Sequence, residues 1–196
     1  MIAPMRWTLI LCAFAAAVST ARADDWAAPT TKYVKSESAR YRAVVVPGAA
    51  KKPGSVTLYD DKDPVRPKKL YQRKLVNRQA PVHIFLADGG QLVTVDEWAN
   101  AGYAHSLVIY DRKGKVVVDC ALEQMLLAEE LPSVEQSISS RWWRAKEEPM
   151  WLEGAALNIK SAWGPVLRFD LVTGAQTRDG QRVLINGSDR CRARKK

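Results

Sequence analysis

The sequence predicts an all-β protein, an antiparallel meander of about ten strands with one short helix near residues 121–131. Short segments of alternating apolar and polar residues recur along the chain, and this period of two is typical of half-buried strands. Turn signals rich in glycine, proline and aspartate separate these segments. Beyond the N-terminal region, helical spacing occurs at Leu122, Met125 and Leu126, which precede Pro132. We expect blade-like or sandwich-like sheets.

The first 23 residues have the pattern of a signal peptide. Arg6 is followed by an apolar run over residues 8–18, and Ala21-Arg22-Ala23 presents small residues at a cleavage site. The run is about half of the roughly 20 residues that a membrane-spanning helix needs, so no transmembrane segment is expected in the mature chain. Cleavage near Ala23 would place the mature protein in the periplasm or the extracellular space, and the signal does not distinguish these two locations.

The predicted mature chain has three parts: an extended arm over residues 24–38, a β-rich domain over residues 39–189, and a basic tail over residues 190–196. Hairpin turns are expected at Asp88-Gly89-Gly90 and at Asp111 to Gly114. The strands are predicted at residues 41–46, 55–59, 70–76, 82–86, 91–95, 106–110, 115–119, 138–144, 155–160, 166–172 and 183–185.

Several connections resemble the blade repeats of secreted bacterial β-propeller-like proteins. The segments 109–117 and 169–174 each carry an aspartate, a turn and a glycine, as such blades do. Shorter runs are similar to exported bacterial proteins: Leu75 to Pro81, Asp88 to Gly90, Asp96 to Trp98, Gly102-Tyr103 and Ser139 to Trp143. The resemblance spans roughly residues 36–175 and implies no catalytic residues. At about 45 residues per blade the chain is too short for a complete propeller, so an incomplete meander or completion by copies or a partner is expected.

The net charge of +9 favours anionic partners. Basic residues are concentrated at Lys51-Lys52, at Arg66 to Lys69, at Arg73-Lys74 with Arg78, and in the tail. Outside the cytoplasm such a surface suits lipid headgroups or acidic polymers, and a nucleic acid partner is not expected. A solvated surface that only aids solubility is the alternative.

Cys120 and Cys191 are the two cysteines of the predicted mature chain, and an oxidising compartment favours a disulfide between them. Two buried thiols are the alternative. Zinc is disfavoured because the cysteines are far apart and the chain has only two histidines. No metal and no cofactor are predicted.

The adjacent residues Trp142 and Trp143 are the first candidate for a binding site. In a strand their side chains point to opposite faces, so one would enter the core and the other would lie beside Arg141 or Arg144. An exposed tryptophan flanked by arginines would stack on a sugar or a nucleobase, and burial of every tryptophan is the alternative. Further tryptophans would extend this platform: Trp98, Trp151 and Trp163.

Asp96, Glu97 and His105 form the second candidate, because carboxylates and a histidine within ten positions are the residue types of a metal or acid–base site. The alternative is that the two carboxylates accept hydrogen bonds from backbone amides of a hairpin loop. The sequence contains no Gly-x-Ser-x-Gly motif and no phosphate-binding glycine loop.

The leading hypothesis is an exported non-catalytic binding or scaffold module of the cell envelope. It would bind a protein or an anionic polymer through its sheet edges and basic segments. One alternative is a metal-dependent or hydrolytic enzyme centred on residues 96–105. Another is a structural partner that self-associates to complete a larger propeller-like assembly.

Overall fold

The computed structural model describes residues 26–49, 52–182 and 191. The predicted signal peptide, the strand predicted at 183–185 and the predicted tail apart from Cys191 lie outside these residues. The described part of the chain forms fifteen strands. In order they are β1 Lys32–Lys35, β2 Tyr41–Val46, β3 Ser55–Asp60, β4 Lys68–Lys74, β5 Pro81–Leu86, β6 Leu92–Glu97, β7 Leu107–Tyr110, β8 Val116–Cys120, β9 Glu135–Gln136, β10 Arg141–Trp142, β11 Met150–Glu153, β12 Ala156–Lys160, β13 Val166–Asp170, β14 Gln176–Arg178 and β15 Gln181–Arg182.

The strands form three consecutive antiparallel meanders. Sheet 1 has the order β1-β2-β3-β4, sheet 2 the order β5-β6-β7-β8, and sheet 3 the order β11-β12-β13-β14-β15. The short strands β9 and β10 pair with each other in the connection between sheets 2 and 3. The predicted all-β class and its antiparallel pairing are confirmed. The structure has more strands than predicted, because it includes several strands of only two to four residues.

Sheet 2 is the centre of a stack, because both of its faces are covered. Every residue of β6 and β7 is buried. On one face Leu92, Val108 and Tyr110 share a core cluster with Tyr41, Ala43, Val45, Val56 and Leu58 of sheet 1. On the other face Val93, Val95, Leu107 and Ile109 share a cluster with Leu157, Ile159, Leu167 and Phe169 of sheet 3. The period of two thus places alternate residues of one strand in two different cores.

The predicted hairpin turns connect β5 to β6 and β7 to β8. Gly90 and Gly114 adopt φ angles of +82° and +81°, a left-handed conformation that favours glycine. In the second turn Oδ1 of Asp111 accepts hydrogen bonds from the backbone N–H groups of Lys113 and Lys115. The turn chemistry that the sequence shows therefore fixes the register of sheet 2.

The helix predicted near residues 121–131 is wrong as an α-helix, since this segment contains two 3-10 turns, Leu122–Gln124 and Leu131–Ser133. In this segment, side chains accept hydrogen bonds from backbone N–H groups. The carboxamide of Gln124 accepts from the N–H of Ala121, and the carboxylate of Glu130 accepts from the N–H of Leu127. The predicted strand at 138–144 shortens to Arg141–Trp142. Strands β1, β9, β11, β14 and β15 were not predicted, and β1 lies within the predicted extended arm.

Cys120, at the end of β8, forms a disulfide with Cys191, and their Cα atoms are 5.2 Å apart. The bond links residues 71 positions apart in the sequence. A loop of this length is stabilised by about 4 kcal/mol in the chain-entropy treatment of a cross-link. Among the described residues, no helix is long and apolar enough to cross a membrane.

Candidate functional site

A cleft with a volume of about 950 Å³ opens beside β10, where the connection between sheets 2 and 3 meets the turn that follows β12. Tryptophans and basic residues dominate its lining. The tryptophans are Trp26, Trp142, Trp143 and Trp163, and the basic residues are Arg141, Arg144, Lys146 and Lys160. The cleft therefore brings together the first of the two predicted sites with residues from the N-terminal and C-terminal parts of the chain.

Trp142 and Trp143 divide between the surface and the core. The Trp143 side chain is 1% exposed and packs in the cluster between sheets 2 and 3, whereas Trp142 is 49% exposed. The indole N–H of Trp143 donates a hydrogen bond to Oδ1 of Asp96 over 3.2 Å. The buried ring is thus fixed in orientation, and the exposed ring stands at the opening of the cleft.

Asp96 is the buried anchor of this wall. It follows the core residues of β6, adopts a φ of +58°, and accepts a second hydrogen bond at Oδ1 from the backbone N–H of Gly102 over 3.0 Å. Its Oδ2 forms an ion pair with Nη2 of Arg144 at 2.7 Å. Burial raises the pKa of Asp96, and the nearby Arg144 guanidinium opposes that rise.

Arg144 is held from a second side by His83 on β5. Nη1 of Arg144 lies 3.1 Å from Nε2 of His83, and since a guanidinium only donates, Nε2 acts as the acceptor of a neutral imidazole. Burial, Arg144 and Lys32 together lower the pKa of His83 to about 4. The imidazole therefore remains neutral at neutral pH and helps to position the guanidinium at the wall of the cleft.

Glu130 anchors the part of the cleft lining that contains Trp163. Its Oε1 accepts a hydrogen bond from the indole N–H of Trp163 at 2.5 Å, and its Oε2 accepts from Nη2 of Arg178 at 2.7 Å. The Glu130 and Arg178 side chains are 9% and 10% exposed. A nearly buried ion pair with both carboxylate oxygens engaged holds Trp163 in place.

Arg141 is also committed to the fold. Its guanidinium forms an ion pair with Glu123, donates to the carbonyl of Gly102, and lies over the ring of Tyr103 at 5.6 Å. Gly102 has a φ of +73°, and a Cβ there would lie 2.8 Å from the Cβ of Arg141. The close approach of these two segments consequently requires glycine.

Lys146 and Lys160 are the exposed cations of the cleft. In the part of the chain that the structure describes, neither lysine takes part in an ion pair. The arginines that the sequence singled out are structural, and these lysines, which it did not single out, are the charges available to a ligand.

The other predicted site does not converge. Asp96 faces Arg144, whereas Oε1 of the neighbouring Glu97 accepts a hydrogen bond from the backbone N–H of Arg78 at 2.8 Å. His105 pairs with Asp119, with Nδ1 and Oδ1 2.7 Å apart, and this hydrogen bond raises the pKa of His105. Over the described ranges, no group of three or more histidine, cysteine, aspartate or glutamate side chains is arranged to hold a metal ion.

The remaining predicted tryptophans take three different positions. Trp163 lines the cleft. Trp98 packs edge-on against Trp26 with ring centroids 6.2 Å apart, and its indole N–H donates to the carbonyl of Ala27. Trp151 is 41% exposed and lies outside the cleft. The predicted platform is therefore a cleft wall built from Trp142 and Trp163, supported by Trp26.

Comparison with protein-family models gave no match, and comparison with curated proteins gave none either. The three consecutive meanders do not by themselves identify the β-propeller-like group, so that resemblance stays a prediction.

Proposed function

We propose that this protein is an exported, non-catalytic binding module of the cell envelope that holds a segment of an acidic sugar polymer in the cleft beside β10. The observation that carries the proposal is that the half-exposed Trp142 lines the same cleft as the exposed lysines Lys146 and Lys160. Export rests on the predicted signal peptide.

The aromatic wall suits the apolar face of a sugar ring. Trp142 offers a large indole surface, and Trp163 is fixed by its hydrogen bond to Glu130. Rigid aromatic side chains lose little conformational freedom on binding, so they contribute efficiently to affinity. A chain of sugars can place successive rings on such a wall.

The charge of the cleft selects for acidic ligands. Lys146 and Lys160 are exposed and free of ion pairs within the described residues, and Arg144 adds a guanidinium that is 17% exposed. Carboxylate groups along a sugar chain would approach these cations in a partly enclosed setting, where attraction is stronger than in bulk water. Because the lysines are exposed, added salt should weaken the interaction.

Two buried carboxylates behind the cleft lining have structural partners, and Glu135 is the single carboxylate among the lining residues of the described chain. Glycoside hydrolysis ordinarily uses a pair of carboxylates, so the lining supports binding in preference to hydrolysis. Asp96 is engaged by Arg144, Trp143 and Gly102, and Glu130 by Trp163 and Arg178. A general acid or base must come within hydrogen-bonding reach of its substrate. Both carboxylates are instead used to orient the walls.

The test measures binding of oligogalacturonate, an acidic sugar chain, and of a neutral cello-oligosaccharide of similar length to the purified protein by calorimetry. We expect binding of the acidic chain, and about ten-fold weaker binding by Trp142→Ala, because the stacking surface is lost. Trp151→Ala removes an exposed tryptophan outside the cleft and serves as the matched control. Equal affinities of the two variants, or no binding of either oligosaccharide by the parent protein, would refute the proposal.

A further inference from the structure

Within residues 31–182, the surplus of positive charge lies in one region. Residues 31–79, which contain sheet 1, carry thirteen lysines and arginines and four acidic residues, a surplus of nine positive charges. Residues 80–182, which contain sheets 2 and 3, carry ten basic and fourteen acidic residues, a deficit of four. Sheet 1 therefore differs sharply in charge from the rest of the described chain.

The outer face of sheet 1 displays part of this surplus. Residues paired across neighbouring strands share a face, and the face opposite the core contains two rows of partners. One row is Lys35, Arg42, Tyr59 and Lys69, and the other includes Tyr33, Val44, Thr57 and Gln72. Lys74 and Val46 flank Ser55 on the same face.

Acidic residues near this face are paired with arginines, which leaves the lysines free. Asp61 pairs with Arg42, and Asp60 pairs with Arg40 and Arg112. Lys35, Lys69 and Lys74 are exposed and form no ion pair within the described ranges. Tyr33 lies on the same face of the edge strand β1 as Lys35 and is 71% exposed.

We propose that the outer face of sheet 1 docks onto an anionic lipid surface. A sheet face presents its lysines side by side on a broad surface, and this arrangement matches a layer of negatively charged headgroups. Tyr33 and Val46 provide a small apolar contact between the charges, and tyrosine suits the boundary between water and lipid. The inference is independent of the cleft, because the two surfaces belong to different sheets.

The test is cosedimentation of the purified protein with vesicles of phosphatidylcholine, with and without phosphatidylglycerol, at low and high salt. We expect binding to the anionic vesicles that disappears at high salt. The double variant Lys69→Gln with Lys74→Gln should bind about 25-fold more weakly, from about five-fold per removed lysine charge. Lys146→Gln with Lys160→Gln makes the same change in net charge away from this face and should bind the vesicles as the parent does.

Three outcomes would overturn the proposal. One is binding to both vesicle types alike, and another is equal weakening by the two double variants, which would reflect net charge alone. The third is a failure to bind anionic vesicles, whether the protein instead binds a soluble polyanion such as polyphosphate or sediments by itself without vesicles. All substituted lysines are exposed, so a thermal melt of each variant should show an unchanged fold.

Discussion

Two buried carboxylates, Asp96 and Glu130, make the same two kinds of side-chain contact behind the lining of the cleft. Each accepts a hydrogen bond from an indole N–H, of Trp143 and Trp163 respectively, and each pairs with an arginine. They differ in depth and in support. The side chain of Asp96 is 0% exposed and its arginine also contacts His83, whereas Glu130 is 9% exposed and engages a single arginine through both oxygens.

The comparison shows how one interaction serves two purposes. The Asp96 anchor sits at the end of a core strand and joins three segments of the chain, so the packing of the fold depends on it. The Glu130 anchor immediately precedes the 3-10 turn Leu131–Ser133 and holds one partly exposed tryptophan, Trp163. A buried ion pair adds little net stability when intact but is costly to break, and this cost grows with burial.

The largest effect is expected at the deeper anchor. Asp96→Asn keeps a side chain that tolerates the positive φ angle and can still accept from Gly102, but it leaves the Arg144 guanidinium without a counterion. We expect the free energy of unfolding to fall by about 3–5 kcal/mol in urea titrations. A loss under about 1 kcal/mol would show that the ion pair does not support the fold.

A smaller effect is expected at the shallower anchor. Glu130→Gln retains an acceptor for the Trp163 N–H, but it loses the charge that faces Arg178 and the Oε2 that accepts from Arg178 and from the Leu127 N–H. We expect a loss of about 1–2 kcal/mol, together with weaker binding at the cleft, in the same urea and calorimetric assays. If Glu130→Gln destabilised the protein as much as Asp96→Asn, depth would not explain the difference between the anchors.

The smallest effect concerns pH and the support of Arg144 by His83. The pKa of His83 is lowered from 6.5 to about 4 in the fold, so the unfolded chain binds the proton more readily. The contribution of neutral His83 to the free energy of unfolding is therefore complete above pH 6.5, and it is lost as the pH falls towards 4. Allowing for partial exposure, we expect about 1 kcal/mol or less over this range. His105, with its raised pKa, acts in the opposite direction.

The variant His83→Gln removes this titration while keeping an acceptor for Arg144. Urea midpoints of the parent and the variant should therefore converge as the pH is lowered from 7 to 5. Parallel pH profiles of the two proteins would show that His83 does not titrate as its surroundings require.

The sequence predicted the features that depend on neighbouring residues. Alternation located most strands of sheets 1 and 2, and Asp88 to Gly90 and Asp111 to Gly114 located two turns, because these patterns act within one hairpin. Strand β1 was missed because Lys32-Tyr33-Val34-Lys35 is mostly polar and its outer residues face away from the core. The spacing of Leu122, Met125 and Leu126 was interpreted as helical, although these residues are buried from 3-10 turns.

The site was less accessible to prediction. Trp142 and Trp143 were singled out with Arg141 and Arg144 because their alternation is local. The contact between Asp96 and Arg144 joins residues that are far apart in the chain, and no local pattern announces it. Glu130 falls within the segment that was predicted as a helix, and no neighbouring residue distinguishes His83 or Lys160 as part of a site. Contacts between polar side chains that are distant in the sequence leave no repeating pattern in the sequence, so they cannot be predicted in this way.

The covering of sheet 2 on both sides has a consequence for the order in which the chain can mature. Synthesis proceeds from the N terminus, so sheets 1 and 2 are complete before β12 and β13 emerge. Until then the face that carries Val93, Val95, Leu107 and Ile109 has no cover. A nascent chain of this length exposes an apolar sheet face, and the bond between Cys120 and Cys191 can close only after the chain has been made as far as residue 191.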